Sequence, residues 1–181
     1  MTFFCRFLAA LFFVIMLLPA VAAAREFPDF LLEGDIDQTQ LDSLGVAQLP
    51  LHLSDIKAEY LLVEVFSMYC PICQGEAEHV NLLHELILGD GLNDRLKIVG
   101  IGTGNTPFEV QLFRDQYDIK FPLFHDEQFE VNTALGQVGT PHFVLLRNSG
   151  PDALEELLVE EGVMDNLDAF YARILKAAGL K

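Results

Sequence analysis

The sequence predicts an α/β domain, a central mixed β-sheet flanked by helices, on three observations. Short apolar runs rich in branched residues recur at residues 60–66, 96–101 and 142–147, as in strands buried on both faces. Between them the apolar spacing switches to three and four residues, as in helices packed on one side. The resulting order, β-α-β-α-β-β-α, sets helices against a sheet whose first two strands are parallel and joined by a right-handed crossover.

Ahead of these elements, residues 1–24 place one positive charge, Arg6, before an apolar run at 7–18. Pro19 and a small-residue tail ending Ala22-Ala23-Ala24 follow. That is the anatomy of a secretory signal with an A-x-A cleavage site. Export is therefore expected, to the periplasm in a Gram-negative cell. Left uncleaved, residues 7–18 would act as a membrane anchor, though they are short for a full span. Cleavage after Ala24 leaves residues 25–181 as one domain, long enough to bury a core without disulfides. It also removes Cys5, which leaves Cys70 and Cys73 as the remaining cysteines, in surroundings where disulfides form and persist. The chain carries 11 Lys and Arg against 27 Asp and Glu. So acidic a surface argues against nucleic acid or an anionic membrane as a partner; a monomer is expected.

Residues 25–48 read as an irregular extension, with a short strand around Phe27 and residues 30–32 and a polar loop or short helix over 35–45. Residues 33–48 fit no recognisable pattern. Residues 49–53 alternate enough for a strand, and Ser54-Asp55 starts a turn. The run 60–66 is the central strand, and 71–88 is helical, with Ala77, Val80, Leu83, Leu86 and Ile87 on one face and Gly89-Asp90-Gly91 as its stop. After the strand at 96–101, Thr106 caps and Pro107 opens a helix over 108–117. A short extended piece at 121–124 and a short helix at 128–135 precede the strand at 142–147. Asn148-Ser-Gly-Pro151 turns it into an antiparallel strand at 154–161. The closing helix, 167–178, carries Lys176 in its last turn, where a cation suits the helix dipole.

The cysteines fall at the carboxyl end of the central strand, where open α/β sheets hold their sites. A structural zinc needs about four ligands; there is no second cysteine pair, and His79 and His84, five residues apart, do not share one helix face. Covalent haem needs a histidine directly after the second cysteine, and Gln74 stands there. A copper site using both thiols and a histidine stays open. A purely structural disulfide closing so short a loop would restrain the unfolded chain little. The redox reading has a mechanism: Cys70 is placed as helix N-cap and Pro71 as first helical residue, where its missing N–H costs nothing. The amides of Ile72 and Cys73 then point at the Cys70 sulfur and favour its thiolate, while Cys73 lies a turn deeper. Cys70 would attack a disulfide and Cys73 would resolve the mixed disulfide.

Glu64 interrupts the central strand six residues before Cys70. It either meets solvent at a strand end or is a buried acid/base with a raised pKa, serving Cys73 through a water. Gly139-Thr140-Pro141 enters the third long strand. A trans turn would be ordinary there; a cis bond would be a specific feature. Beside the cysteines, that loop would expose the Thr140 backbone to an extended substrate strand.

Glu64-x5-Cys70-Pro-Ile-Cys73 with the distal Gly139-Thr-Pro141 resembles the thioredoxin fold, and within it the exported TlpA/ResA-like and AhpC/TSA-like redoxins. The similarity runs over roughly residues 49–178 and includes Gly100-x-Gly102, Phe121-Pro122 and Gly162. The resemblance implies a thioredoxin-like sheet, a cis Thr140–Pro141 bond, Cys70 as nucleophile, Cys73 as resolving thiol and Glu64 as buried acid. It further implies substrate contacts at Tyr69, Pro71, Ile72, Thr140 and Pro141, and no metal or cofactor beyond a Cys70–Cys73 disulfide. The expected activity is thiol–disulfide exchange with protein substrates, favouring the reductase direction, with a membrane protein as candidate electron donor. The chain departs from thioredoxins in having no Trp, with Met68-Tyr69 beside the first cysteine, and in its apolar Pro-Ile dipeptide. A peroxide-reducing site is the alternative enzyme reading: Ser67 stands where those sites need Thr or Ser, but Val63 occupies the place of their proline and no partner arginine stands out. A non-enzymatic copper or binding module is the third.

Overall fold

The structure, a computed structural model, describes residues 25–164 and 166–180; the proposed signal segment lies outside them. A six-stranded sheet organises the molecule. Its strands are β1 (Arg25–Glu26), β4 (Tyr60–Phe66), β5 (Leu96–Thr103), β6 (Leu123–Asp126), β7 (His142–Asn148) and β8 (Leu154–Glu161), in the spatial order β1-β8-β7-β4-β5-β6. A separate two-stranded ribbon pairs β2 (Leu31–Leu32) with β3 (Leu51–His52). The helices are α1 (Gln38–Leu44), α2 (Pro71–Gly89), α3 (Pro107–Tyr117), α4 (Glu130–Ala134) and α5 (Leu167–Ala178).

β4 is buried along its whole length, parallel to β5 on one side and antiparallel to β7 on the other. Its side chains alternate between two cores, as strand geometry requires. Tyr60, Leu62 and Phe66 join α2, α3 and α5 in one core. Leu61 and Val63 join the amino-terminal segment and Val131 of α4 in the other. By the same alternation Glu64 points to the α2 side. Gly102 on β5 leaves room for this packing: a Cβ there would lie 2.8 Å from Val110 and 3.1 Å from Phe66.

The elements differ from the sequence-based expectation at their edges. Strand β6 starts at Leu123, later than 121, because Pro122 has no N–H to give the ladder; its carbonyl instead accepts from the Gly100 amide at 3.0 Å. Helix α4 is shorter than 128–135. Phe129 precedes it at φ 58, and Asp126 takes the amides of Val131 and Asn132, each at 3.1 Å. Only Leu51–His52 of the 49–53 run is strand; a 3-10 turn follows at Leu53–Asp55. The extension at 25–48 is more regular than its sequence suggests. β1 closes onto β8, α1 is bounded by Asp37 and by Gly45 at φ 70, and Glu33 bridges to His125.

Candidate active site

α2 begins where β4 ends. Cys70 is its N-cap, with extended backbone (φ −85, ψ 113), Pro71 opens the helix, and the Cys73 amide donates to Cys70 Sγ at 3.3 Å. The Cys70 thiol donates to the Thr140 carbonyl at 3.2 Å, so the loop before β7 closes over the sulfur. The Thr140–Pro141 bond is cis. Cys70 is half-buried and Cys73 fully buried, and the two sulfurs are unbridged.

The two thiols are driven apart. Burial opposes ionisation of Cys70. The Thr140 side chain, the Cys73 amide and thiol and the Ile72 amide outweigh it, and its pKa falls below the usual thiol value. Burial pushes Cys73 up to about 12, with the neighbouring Cys70 adding to the rise and the Ser67 backbone and Thr140 opposing it. A half-buried thiol that ionises more readily than usual and a buried one that keeps its proton result, the asymmetry that exchange requires.

Glu64 is buried, 3% exposed. Burial, then repulsion by Glu76 and Cys70, raises it to about 8, so it is protonated at neutral pH. Glu76, which sequence reasoning missed, is equally buried at 4%. It sits three residues after Cys73, hence on the same helix face. Its Oε2 accepts the Met164 amide at 3.0 Å and its Oε1 lies 3.4 Å from His79 Nδ1. The signal was present in the sequence: 73, 76, 77 and 80 form one stripe, and a carboxylate within an apolar stripe is anomalous.

Asn105 was also missed. Completely buried, it accepts the Met68 amide at 2.9 Å on Oδ1 and reaches Ser67 Oγ with Nδ2 at 3.4 Å. Gln74 Nε2 donates to the Met68 carbonyl at 2.7 Å, so both backbone polar groups of Met68 are held. The Tyr69 hydroxyl donates to Glu109 on α3. Tyr69 (65% exposed), Ile72 (45%) and Pro71 form an open rim around Cys70, with Thr140 half-buried and Pro141 buried across from them. The predicted substrate-contacting residues thus meet at one place. Among the described residues, no group of three or more His, Cys, Asp or Glu side chains could share a metal ion, and no helix is long and apolar enough to cross a membrane.

A mixed sheet with a helix-capping CxxC and an opposing X-Pro loop defines a redoxin of the thioredoxin fold, of the TlpA/ResA-like kind. The chain belongs to the AhpC/TSA family, whose model matches residues 23–150. It is 25% identical over 145 residues to the thiol–disulfide oxidoreductase ResA of Oceanobacillus iheyensis, a match covering 79% of this chain and 68% of that protein. Solved structures share the fold. One is a putative thiol:disulfide interchange protein DsbE from Chlorobium tepidum (TM-score 0.66, 20% identity, 86% of this chain and 97% of that one). Another is a secreted Mycobacterium tuberculosis disulfide oxidoreductase (TM-score 0.57, 18% identity, 82% and 96%).

Proposed function

We propose that the protein is a thiol–disulfide oxidoreductase acting on protein substrates through Cys70 and Cys73, with no cofactor beyond that dithiol. The observation that carries the reading is two unbridged thiols one helical turn apart, Cys70 half-buried at the helix N-cap under the Thr140 carbonyl and Cys73 sealed in the core. Cys70 attacks a substrate disulfide, and the Cys70–substrate disulfide forms as the substrate thiolate leaves. Cys73, freed of its proton, attacks Cys70; the Cys70–Cys73 bond forms and the second substrate thiolate is released. The substrate gains two electrons and the protein loses two. Thr140 and the Tyr69–Pro71–Ile72 rim hold the substrate chain around the reacting sulfurs.

The reductase direction is the one proposed. A strong oxidant is made by stabilising the reduced, thiolate form. Burial limits how far the hydrogen bonds on Cys70 stabilise its thiolate, and the Pro-Ile dipeptide adds no charge. In use the protein is exported, monomeric and re-reduced by a membrane donor.

A titration in thiol/disulfide buffers, with alkylation of the free thiols at each potential, tests this. Cys70 and Cys73 should oxidise together as a two-electron couple, at a potential on the reducing side of protein disulfide isomerase, about −180 mV. Thiols that never form the bridge would sink the proposal. The AhpC/TSA match keeps one rival in view: rapid hydrogen peroxide consumption dependent on Cys70 would make the protein a peroxidase. Copper retained through dialysis and lost in Cys70→Ser would make it a binding module.

A further inference from the structure

Three parallel strands, β4, β5 and β6, run side by side, and an exposed aromatic side chain follows the carboxyl end of each. Tyr69 comes after β4, Phe108 (75% exposed) after β5 and Phe129 (52%) after β6. Carboxylates stand among them: Glu109 beside Phe108, and Glu127 and Glu130 on either side of Phe129. Resting on the dithiol-exchange reading, we propose that this row recognises the substrate, an extended segment carrying arginine or lysine within a few residues of its disulfide cysteine.

Single exposed apolar residues are ordinary, but a row of aromatics along one end of a sheet is not. The rings are held in place. The Tyr69 hydroxyl donates to Oε1 of Glu109, whose Oε2 accepts the Thr106 amide at 2.7 Å in the capping box of α3. That ties the cysteine loop to α3 next to Phe108. Phe129 stands at φ 58, a costly conformation for a bulky residue. Its ring lies against Gly104, where a Cβ would come within 2.3 Å of it. Asn105, the next residue, holds the Met68 amide. Neighbouring strands are about 4.8 Å apart, so the row reaches roughly 10 Å from β4 to β6, which an extended chain covers in about three residues. A substrate chain leaving Cys70 in that direction passes all three rings.

Charge then selects among substrates. The chain has no Lys or Arg between Lys57 and Arg95, between Lys97 and Arg114, or between Lys120 and Arg147. Those stretches contain the cysteine ends of β4, β5 and β6 and the Thr140 loop. Cations gather at the opposite end of the sheet, where Arg147 lies across from Tyr60 and Lys97 across from Leu61. There they have partners: Arg95 pairs with Glu59 at 2.7 Å and Arg147 with Glu155 at 2.5 Å. Among the described residues, no Lys or Arg pairs with Glu109, Glu127 or Glu130. A cationic side chain from a substrate thus meets carboxylates without a competitor and ring faces to stack on, and guanidinium suits both. The unbalanced charge also draws a basic segment in and turns an acidic one away.

The test gives the reduced full chain peptides whose single cysteine is held as a 2-pyridyl disulfide, alike except that the residues flanking the cysteine are Arg, Ser or Glu. Release of pyridine-2-thione reads attack by Cys70. The Arg peptide should react at least about tenfold faster than the Glu peptide, with the Ser peptide between them, and the spread should shrink in about 0.5 M salt. In the triple variant Phe108→Ser, Glu127→Gln, Glu130→Gln the ratio of Arg to Glu rates should fall at least about threefold. Equal rates at low salt, faster reaction of the Glu peptide, or an Arg preference undiminished in the variant overturns the proposal. Should the variant misfold, the peptide series and its salt dependence in the unaltered protein still decide. No release from any peptide would overturn dithiol exchange itself, and the proposal with it.

Discussion

Cys70 and Cys73 are three residues apart on one helix, and they live in two different media. Around Cys70 the amides of the first helical turn converge on a half-exposed sulfur. Around Cys73 the sulfur is sealed in the core, and Glu76, also buried, follows one turn on along α2. The difference shows how one helix N-terminus can make two thiols chemically unlike. Its donors reach only the first turn, and one turn further in burial prevails. The capping position thus supplies the attacking group and the core supplies the resolving one.

The sharpest way to break this comparison is to remove each thiol in turn. Cys70→Ser should reduce disulfide exchange to background, because the remaining thiol is buried and protonated. Cys73→Ser should still attack and then stall, accumulating mixed disulfides visible as reducible higher-mass species. If the two variants trap partners equally well, the division of labour is wrong. Without mutation, iodoacetamide at neutral pH should label Cys70 well before Cys73. Cys73 should stay protonated until the pH nears 12, which a pH series of labelling followed by mass spectrometry reads directly.

Glu64 sharpens the inner half. Folded, it holds its proton to about pH 8; its ordinary value is 4.5. The stability associated with this shift is complete below about pH 4.5 and is lost as the pH rises through about 8. Glu64→Gln cannot ionise. Relative to the parent it should therefore gain stability across that window, on the order of 5 kcal/mol at its upper end. Denaturation curves at several pH values would show it, and a pH-independent difference would contradict the buried-acid assignment. On the outer half the effects are smaller. Asn105→Ala leaves the Met68 amide without its acceptor and should cost about 1–3 kcal/mol by the same measurement. Tyr69→Phe removes only the bond to Glu109; attack by Cys70 on a small disulfide should be unaltered, while KM for a protein substrate rises.

Much of this was legible in order. The central strand, the capping cysteine with Pro71, the helix opened by Thr106 and Pro107 and the antiparallel β7–β8 turn each rest on local chemistry, and the structure has them where that chemistry puts them. The boundaries that moved did so for reasons outside the local pattern. Helix α4 lost its first turn to the buried Asp126 and to the backbone of Phe129. The two-residue β1 has no propensity signal at all; pairing with β8 makes it a strand. Asn105 looked like an ordinary residue before a helix cap, because its partners, Ser67 and Met68, are nearly forty residues away.

Sequence alone determined that Cys70 caps a helix at a strand end, because capping, the Pro71 φ angle and strand alternation are short-range. It also placed Glu64 in a central strand as an anomaly. Only the tertiary structure decided what that anomaly does. The helix laid across β4 puts Glu76 opposite Glu64, the loop carrying Met164 holds Glu76, and Thr140 comes across from β7 to cover Cys70. Charge, burial and hydrogen bonds act through space, and the distances that set the two thiols apart exist only once the chain has closed around them.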